Sequence, residues 1–93
     1  MKSIIQSEKK CYLTETESGL HEHHIFGGAN RKLSEQYGLK IYLRADLHNM
    51  SDDGVHFDKR LDRELKQLGQ KTAMKYYGWS VEDFIRIFGR NYL

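Results

Sequence analysis

The stretch best suited to chemistry is residues 21–28, which read HEHHIFGG and hold three of the five histidines. The other two, His48 and His56, follow within 32 residues, and no histidine lies outside this window. Histidine is the commonest metal ligand and the usual general base near neutral pH. One histidine alone is as often a structural residue as a functional one. Several histidines gathered in one stretch, however, predict a metal-binding or catalytic site.

Length and composition limit the kind of protein that can carry such a site. A chain of 93 residues can build one hydrophobic core but not two, so a single domain over residues 1–93 is expected. No apolar run is long enough for a bilayer, and the opening MKSIIQSEKK lacks the segment of a signal peptide. Because Cys11 is the one cysteine, neither an internal disulfide nor a four-cysteine zinc site is available. We therefore expect a cytoplasmic protein without membrane contact.

The net charge of +2 does not by itself indicate nucleic-acid binding, so the distribution of the basic residues must decide. Arg31 and Lys32 follow the glycine pair of the histidine stretch, and Arg44 lies further along. These three are the candidate DNA contacts. A further basic stripe, typical of a solvated helix face, consists of Lys59, Arg63 and Lys66.

Three extended segments are predicted around the histidines. Residues 8–14 and the run from Leu20 to Phe26 are separated by the turn signal Ser18-Gly19, which favours a hairpin. The run Leu39 to Leu43 alternates apolar and polar side chains and predicts a half-buried strand.

The two adjacent histidines of this stretch should diverge. In a regular strand His23 and His24 point to opposite sides, and His21 also points away from His24. Both His23 and His24 can reach one metal only where the strand ends or bends, and Gly27-Gly28 supplies such a break. His21 is expected to be a solvent-exposed residue rather than a ligand.

Helices are predicted after each extended segment. Asn30 can cap a helix from Arg31 to Tyr37, which Gly38 would end in a left-handed conformation. Ala45 to Met50 favours a helical turn that would carry His48.

The second half of the chain is predicted to be helical. From Phe57 to Tyr77, apolar residues recur at three- and four-residue spacing, which is typical of an amphipathic helix. Its inward face is predicted to hold Leu61, Leu65, Leu68, Thr72 and Tyr76, and its basic face Lys59, Arg63, Lys66 and Gln70. Ser80 and Asp83 form a capping signal for a last helix, Val81 to Phe88, with Phe84, Ile85 and Phe88 inward.

This order of strand, glycine loop, strand and helix resembles the HNH endonuclease superfamily, which folds as a ββα-metal finger. The resemblance rests on HHIFGG at 23–28 and LRADLHN at 43–49. Nearly the whole chain, through FGRNYL, resembles small phage- and prophage-encoded proteins of this type. It implies a small α+β domain, with the finger at about residues 20–56 and two helices in residues 57–93.

The resemblance also implies roles for individual residues. His24 would be the general base, while His23 and His48 would bind one divalent metal ion. Asn49 or His56 would complete or support the coordination shell. Glu22 is a further possible carboxylate ligand, and the roles of His23 and His24 can also be exchanged.

The implied activity is hydrolysis of DNA phosphodiester bonds, by an endonuclease or nickase in an infected or prophage-carrying bacterial cell. A base must activate water, and a metal must stabilise charge on the phosphate and the leaving oxygen. Imidazole ligands favour Zn²⁺, Ni²⁺ or Mn²⁺ over Mg²⁺, although all four stay open. Two alternatives are a non-catalytic DNA- or protein-binding module that keeps the finger, and a small protein-binding factor whose histidines bind nothing.

Overall fold

The computed structural model describes residues 1–47 and 58–93. These residues contain two antiparallel strands and three α-helices. The strands are β1 (Leu20–His24) and β2 (Lys40–Arg44). The helices are α1 (Arg31–Tyr37), α2 (Lys59–Tyr77) and α3 (Val81–Phe88). The predicted α+β class is therefore confirmed. The helix predicted from Phe57 begins at Lys59, and Phe57 itself lies outside the described residues.

The partner of β1 is β2 and not the segment before it. The register runs from Leu20 opposite Arg44 to His24 opposite Lys40. The hairpin predicted between residues 8–14 and β1 is wrong, because that segment turns on itself and lies against β2 instead. The Cys11 amide donates to the Thr16 carbonyl over 2.7 Å, and the Tyr12 amide donates to the Tyr42 carbonyl over 2.8 Å. Strand pairing depends on packing between distant segments, which turn signals alone do not specify.

A buried serine ends β1 two residues earlier than predicted. The Phe26 amide donates to Ser34 Oγ over 2.9 Å, and the same hydroxyl donates to the Phe26 carbonyl over 2.8 Å. Both backbone groups of Phe26 are thereby held by α1, so the chain leaves the strand direction after His24.

The limits of α1 follow the prediction, although its first residue is not capped as expected. Gly38 has φ of 72° and ends the helix, and a Cβ there would lie 2.5 Å from the Lys2 carbonyl oxygen. Only glycine fits this close left-handed turn. Asn30 makes no capping hydrogen bond, because its side-chain amide donates to the Phe88 carbonyl over 2.9 Å. The predicted cap instead links the start of α1 to the end of α3.

The burial of α2 differs from the prediction at two positions. Gln70, placed on the basic outer face, is fully buried, and Tyr76, placed inward, is 61% exposed. The face that packs centres on Leu65, Gly69 and Ala73. The chain after α3 covers the side of the helix that carries Gln70, and helical periodicity cannot indicate such a neighbour.

The last helix begins and ends as predicted. Ser80 and Asp83 form the full capping box, and Phe84 and Phe88 are buried. The inward prediction for Ile85 is wrong, since this side chain is 38% exposed. A helix of eight residues has room for one narrow inward stripe, and the two phenylalanines, four residues apart, occupy it.

The core lies between the sheet, α2 and α3. Phe26 is its central side chain, with ring centroids 5.6 Å from Phe84, 4.8 Å from Phe88 and 5.2 Å from Tyr92. Ala45 to Leu47 begin the helical turn predicted after β2, and the rest of that turn lies outside the described residues. Of the helices described, none has the length and apolar character needed to cross a membrane.

Candidate functional site

The two adjacent histidines of β1 lie on opposite faces of the sheet, as the alternation of a regular strand predicts. His23 stands opposite Ile41 on the inner face and is only 2% exposed. His24 stands opposite Lys40, and its Nε2 lies near Glu22, a residue of the outer face. The imidazole rings therefore meet different surroundings, although both residues border the cavity at the end of β1.

This cavity lies where the chain leaves β1 and approaches α2. Its volume is about 330 Å³, and it opens to the surface. The polar residues along its border are His23, His24, Asn30, Lys59, Asp62 and Lys66. A buried imidazole, a carboxylate and two ammonium groups thus share one small space.

The first turns of α2 supply the charged side of the cavity. Asp58 caps the helix by accepting from the amides of Arg60 and Leu61 at 3.1 and 3.0 Å. This cap fixes where α2 begins and so directs Asp62 and Lys66 to the cavity. These two residues, four apart on the helix, form an ion pair of 2.8 Å.

A second charged cluster surrounds His24 on the outer face. His24 Nε2 lies 3.6 Å from Glu35 Oε1 and 3.8 Å from Glu22 Oε1, both too long for hydrogen bonds. Within the described part of the chain, this nitrogen has no hydrogen-bond partner, although the side chain is only 8% exposed. Lys40 Nζ lies between the carboxylates, 2.5 Å from Glu35 and 3.3 Å from Glu22.

The lysine changes the acidity of this cluster. Its hydrogen bond lowers the pKa of Glu35 from 4.5 to about 2. Burial lowers the pKa of Lys40, but the bonds to Glu35 and Glu22 outweigh it and raise that pKa above its ordinary value. Glu35 is therefore an anion, and Lys40 a cation, across the physiological range.

Glu22, His24 and Glu35 could in geometry hold a metal, because one ligand atom from each lies within 4.8 Å of the others. The ammonium of Lys40 already contacts both carboxylates, however, and a dication placed beside it would meet a like charge. Lys40 already provides a positive charge that balances these carboxylates. We therefore read this cluster as an ion-pair network.

The cavity between the end of β1 and α2, here called the inner cavity, also holds possible metal ligands, although Lys66 pairs with the carboxylate of Asp62 there. It brings an imidazole, from His23, and a carboxylate, from Asp62, to one polar space, and borderline transition metals bind such mixed nitrogen and oxygen ligands. The remaining ligands expected from the sequence, His48 and His56, lie outside the described residues, as does Asn49. Glu22 lies with His24 and not with His23.

The basic residues expected to contact DNA are spread over two surfaces. Arg31 and Lys32 are exposed at the start of α1, directly after Asn30 at the border of the cavity. Arg44 is held by Asp46 through two hydrogen bonds of 2.6 and 2.9 Å, so its charge is balanced.

Four residues of the two sites were not indicated by sequence reasoning. Glu35 and Lys40 join His24 only through the register of β1 and β2 and the position of α1, and no local pattern signals that meeting. Asp62 and Lys59 had a weak signal, since they occupy the first turn of the strongest predicted helix, downstream of the histidines.

Comparisons with known proteins return no relative: no protein-family model, curated protein or solved structure matches this chain.

Proposed function

We propose that this protein is a metal-dependent DNA endonuclease or nickase of the HNH type, acting in phage DNA metabolism. The observation that carries the proposal is the burial of His23 at the border of a polar cavity, between the end of β1 and the start of α2. The antiparallel pairing of β1 with β2 supports the two-strand part of the proposed ββα-metal finger at about residues 20–56. A buried imidazole and a carboxylate that border one cavity are side chains that can bind a transition metal.

In this proposal His23 holds the metal, together with His48 and with His56 or Asn49. When bound, the ion supplies charge stabilisation for the phosphate and the leaving oxygen. Zn²⁺, Ni²⁺, Mn²⁺ and Mg²⁺ are the candidates, and imidazole ligands favour the first three.

His24 acts as the general base and takes a proton from the attacking water. The imidazolium that forms would lie within 4 Å of two carboxylates, since its Nε2 is 3.6 Å from Glu35 and 3.8 Å from Glu22. Glu35 and Glu22 are thus the charged groups that face the proposed base.

One observation favours a second candidate, a non-catalytic DNA- or protein-binding module that keeps the finger. His24 Nε2 lies among the charged side chains of the outer face, whereas His23 is buried in the inner one. A general base and a metal ligand on opposite faces of a sheet can act on the same phosphate only where the strand ends. In the module, His23 would bind metal for stability and His24 would belong to the ion-pair network.

Plasmid nicking with each of the four metals, alongside calorimetric metal titration, separates the two functions. His24→Ala should keep metal affinity and lose about 10²- to 10⁴-fold in cleavage rate, the usual contribution of a general base. His23→Ala should lose metal affinity and cleavage together. His21→Ala is the matched control, since it removes a third histidine of the same strand and should change neither.

Three other results would change the assignment. If only His23→Ala keeps metal affinity, the roles of His23 and His24 are exchanged. If both variants bind metal and cut at the original rate, neither histidine has its proposed role. If the wild-type chain cuts with none of the metals, the endonuclease proposal fails and the binding module takes its place.

A further inference from the structure

A basic surface lies beside the inner cavity and was not expected to be functional from the sequence. It lines a shallow groove of about 420 Å³ between α2 and the chain after α3. Its cations are Lys59, Arg63, Lys66 and Arg90, and we call these four residues the basic groove. Among the described residues that line it, Asp62 is the one carboxylate side chain, so this lining is net positive.

The groove and the inner cavity are continuous. Lys59, Asp62, Lys66 and Tyr92 border both of them. A chain of phosphates lying in the groove would therefore reach the border that His23 shares.

Among residues 1–47 and 58–93, one of the four groove cations has an ion-pair partner. Lys66 pairs with Asp62 at 2.8 Å. Within the described residues, Lys59, Arg63 and Arg90 form no ion pair, whereas Arg60 on the same helix pairs with Glu64. Three unpaired cations close together repel one another, so their arrangement favours a polyanionic partner.

A buried glutamine fixes the position of the fourth cation. Gln70 is fully buried, and its amide nitrogen donates to Asn91 Oδ1 over 2.7 Å while its oxygen accepts from the Tyr92 amide over 2.8 Å. Gln67 donates to the Tyr92 carbonyl over 3.0 Å. The segment after α3 is thus tied to α2, and Arg90 lies with its guanidinium 4.9 Å from the centre of the Tyr92 ring. A preorganised arginine loses less entropy when it binds a phosphate.

The spacing of the cations suits a nucleic-acid strand. Lys59, Arg63 and Lys66 span eight residues of α2, and the seven steps from first to last cover about 10 Å at 1.5 Å per residue. Successive phosphates of one strand of duplex DNA advance by about 3.4 Å along the axis, so three nucleotides cover the same length. We propose that the basic groove binds the phosphate backbone of duplex DNA and leads one strand to the inner cavity. This inference rests on the proposed nuclease function for the identity of the ligand.

Fluorescence anisotropy with a labelled duplex of about 20 base pairs tests the inference. The full chain is titrated at several salt concentrations in EDTA, so that binding is measured without cleavage. The test variant Lys59→Gln/Arg63→Gln removes two groove cations. The control Lys71→Gln/Lys75→Gln removes two exposed cations of the same helix outside the groove.

Each lost phosphate contact should reduce the slope of log affinity against log salt by about 0.9. The test variant should therefore lose about 1.8 from the slope and bind more weakly, and Arg90→Gln should remove about 0.9 more. The control should keep the wild-type slope, and all variants should keep the wild-type helical circular dichroism spectrum.

Three outcomes would contradict DNA binding by the basic groove. They are no salt-dependent binding by the wild-type chain, equal slopes in the test and control variants, or displacement of the duplex by polyglutamate as readily as by unlabelled duplex. The last would indicate an acidic protein partner. Binding with the expected slopes but no cleavage by any metal would support the groove while rejecting the nuclease.

Discussion

At the level of single residues, the most unusual environment is that of His24. Its Nε2 is buried next to two carboxylates, yet it makes no hydrogen bond with a described residue. The nearby Lys40 donates to Glu35 and lies 3.3 Å from Glu22. An imidazole held close to anions but not engaged by them can accept a proton without first breaking a bond. The ion-pair network of Glu22, Glu35 and Lys40 therefore balances its own charge next to the ring.

The pair of Glu35 and Lys40 predicts a pH-dependent contribution to stability. Since the pKa of Glu35 falls from 4.5 to about 2 on folding, its ionised form stabilises the protein above about pH 4.5. This stabilisation is lost as the pH falls through about 2. We expect Glu35→Gln to lower the melting temperature at pH 7 and to differ little from wild type near pH 2.

Thermal unfolding from pH 7 to pH 2 measures this difference. Glu64→Gln is a suitable control, because Glu64 is 59% exposed in its 3.4 Å pair with Arg60 and such pairs contribute little. A gap between wild type and Glu35→Gln that stays constant over the whole pH range would contradict the assigned ion pair.

Ser34 provides a second prediction at this scale. Its hydroxyl is the partner of both the amide and the carbonyl of Phe26, and the residue is fully buried. Ser34→Ala leaves buried polar groups without this partner, which typically costs about 1–3 kcal/mol. In a domain of this size that lowers the melting temperature by roughly 4–8 °C per kcal/mol. Ser7→Ala, at an exposed serine, should change nothing, and an unchanged urea midpoint for Ser34→Ala would refute the argument.

His23 and His24 could be proposed from the sequence because residue type and spacing are local properties. It could not identify Glu35 and Lys40 as neighbours of His24, since they approach only when β2 and α1 are in place. Gln70 was misplaced for the same reason: a glutamine on a helix is ordinarily exposed, and here the chain after α3 supplies its buried partners.

At the level of elements, local signals were the reliable ones. Glycine stops and the Ser80–Asp83 capping box gave the limits of α1 and α3, because caps depend on neighbouring residues alone. The pairing of β1 was predicted wrongly, because any extended segment nearby is a possible partner until the core selects one. The apolar side chains Ile41 and Leu43, fully buried in β2, make that selection.

The contact between α2 and the two residues that follow β1 explains a glycine in the middle of a long helix. A Cβ on Gly69 would lie 3.1 Å from both Ile25 and Phe26. Gly69→Ala gains about 1 kcal/mol in helix propensity, but crowding in a packed core typically costs about 1–3 kcal/mol. We expect a net loss of stability in urea or thermal unfolding. Lys71→Ala, on the exposed side of α2, should be tolerated, and a Gly69→Ala variant more stable than wild type would show that the two side chains move aside easily.

At the level of the whole molecule, the core links segments that are far apart in the chain. Phe26 contacts the aromatic rings of Phe84, Phe88 and Tyr92, and Asn30 binds the end of α3. The cavity beside His23 is thus bordered both by residues that follow β1 and by Tyr92 near the end of the sequence. A change in the C-terminal aromatic residues should therefore disturb the site as well as the stability. Cooperative unfolding of core and cavity follows from this arrangement.

The reactivity of Cys11 can report how often the loop around it opens. This single thiol is fully buried, but the backbone hydrogen bonds of its segment are local apart from that of Tyr12 to Tyr42. The segment also contains Glu15 at φ of 64°, a strained conformation for a residue with a side chain. Such a segment should open on its own before the core does. A thiol reagent should therefore label Cys11 at a rate that rises less steeply with urea than global unfolding does. Labelling with the full urea dependence of unfolding would mean that the loop and the core open together.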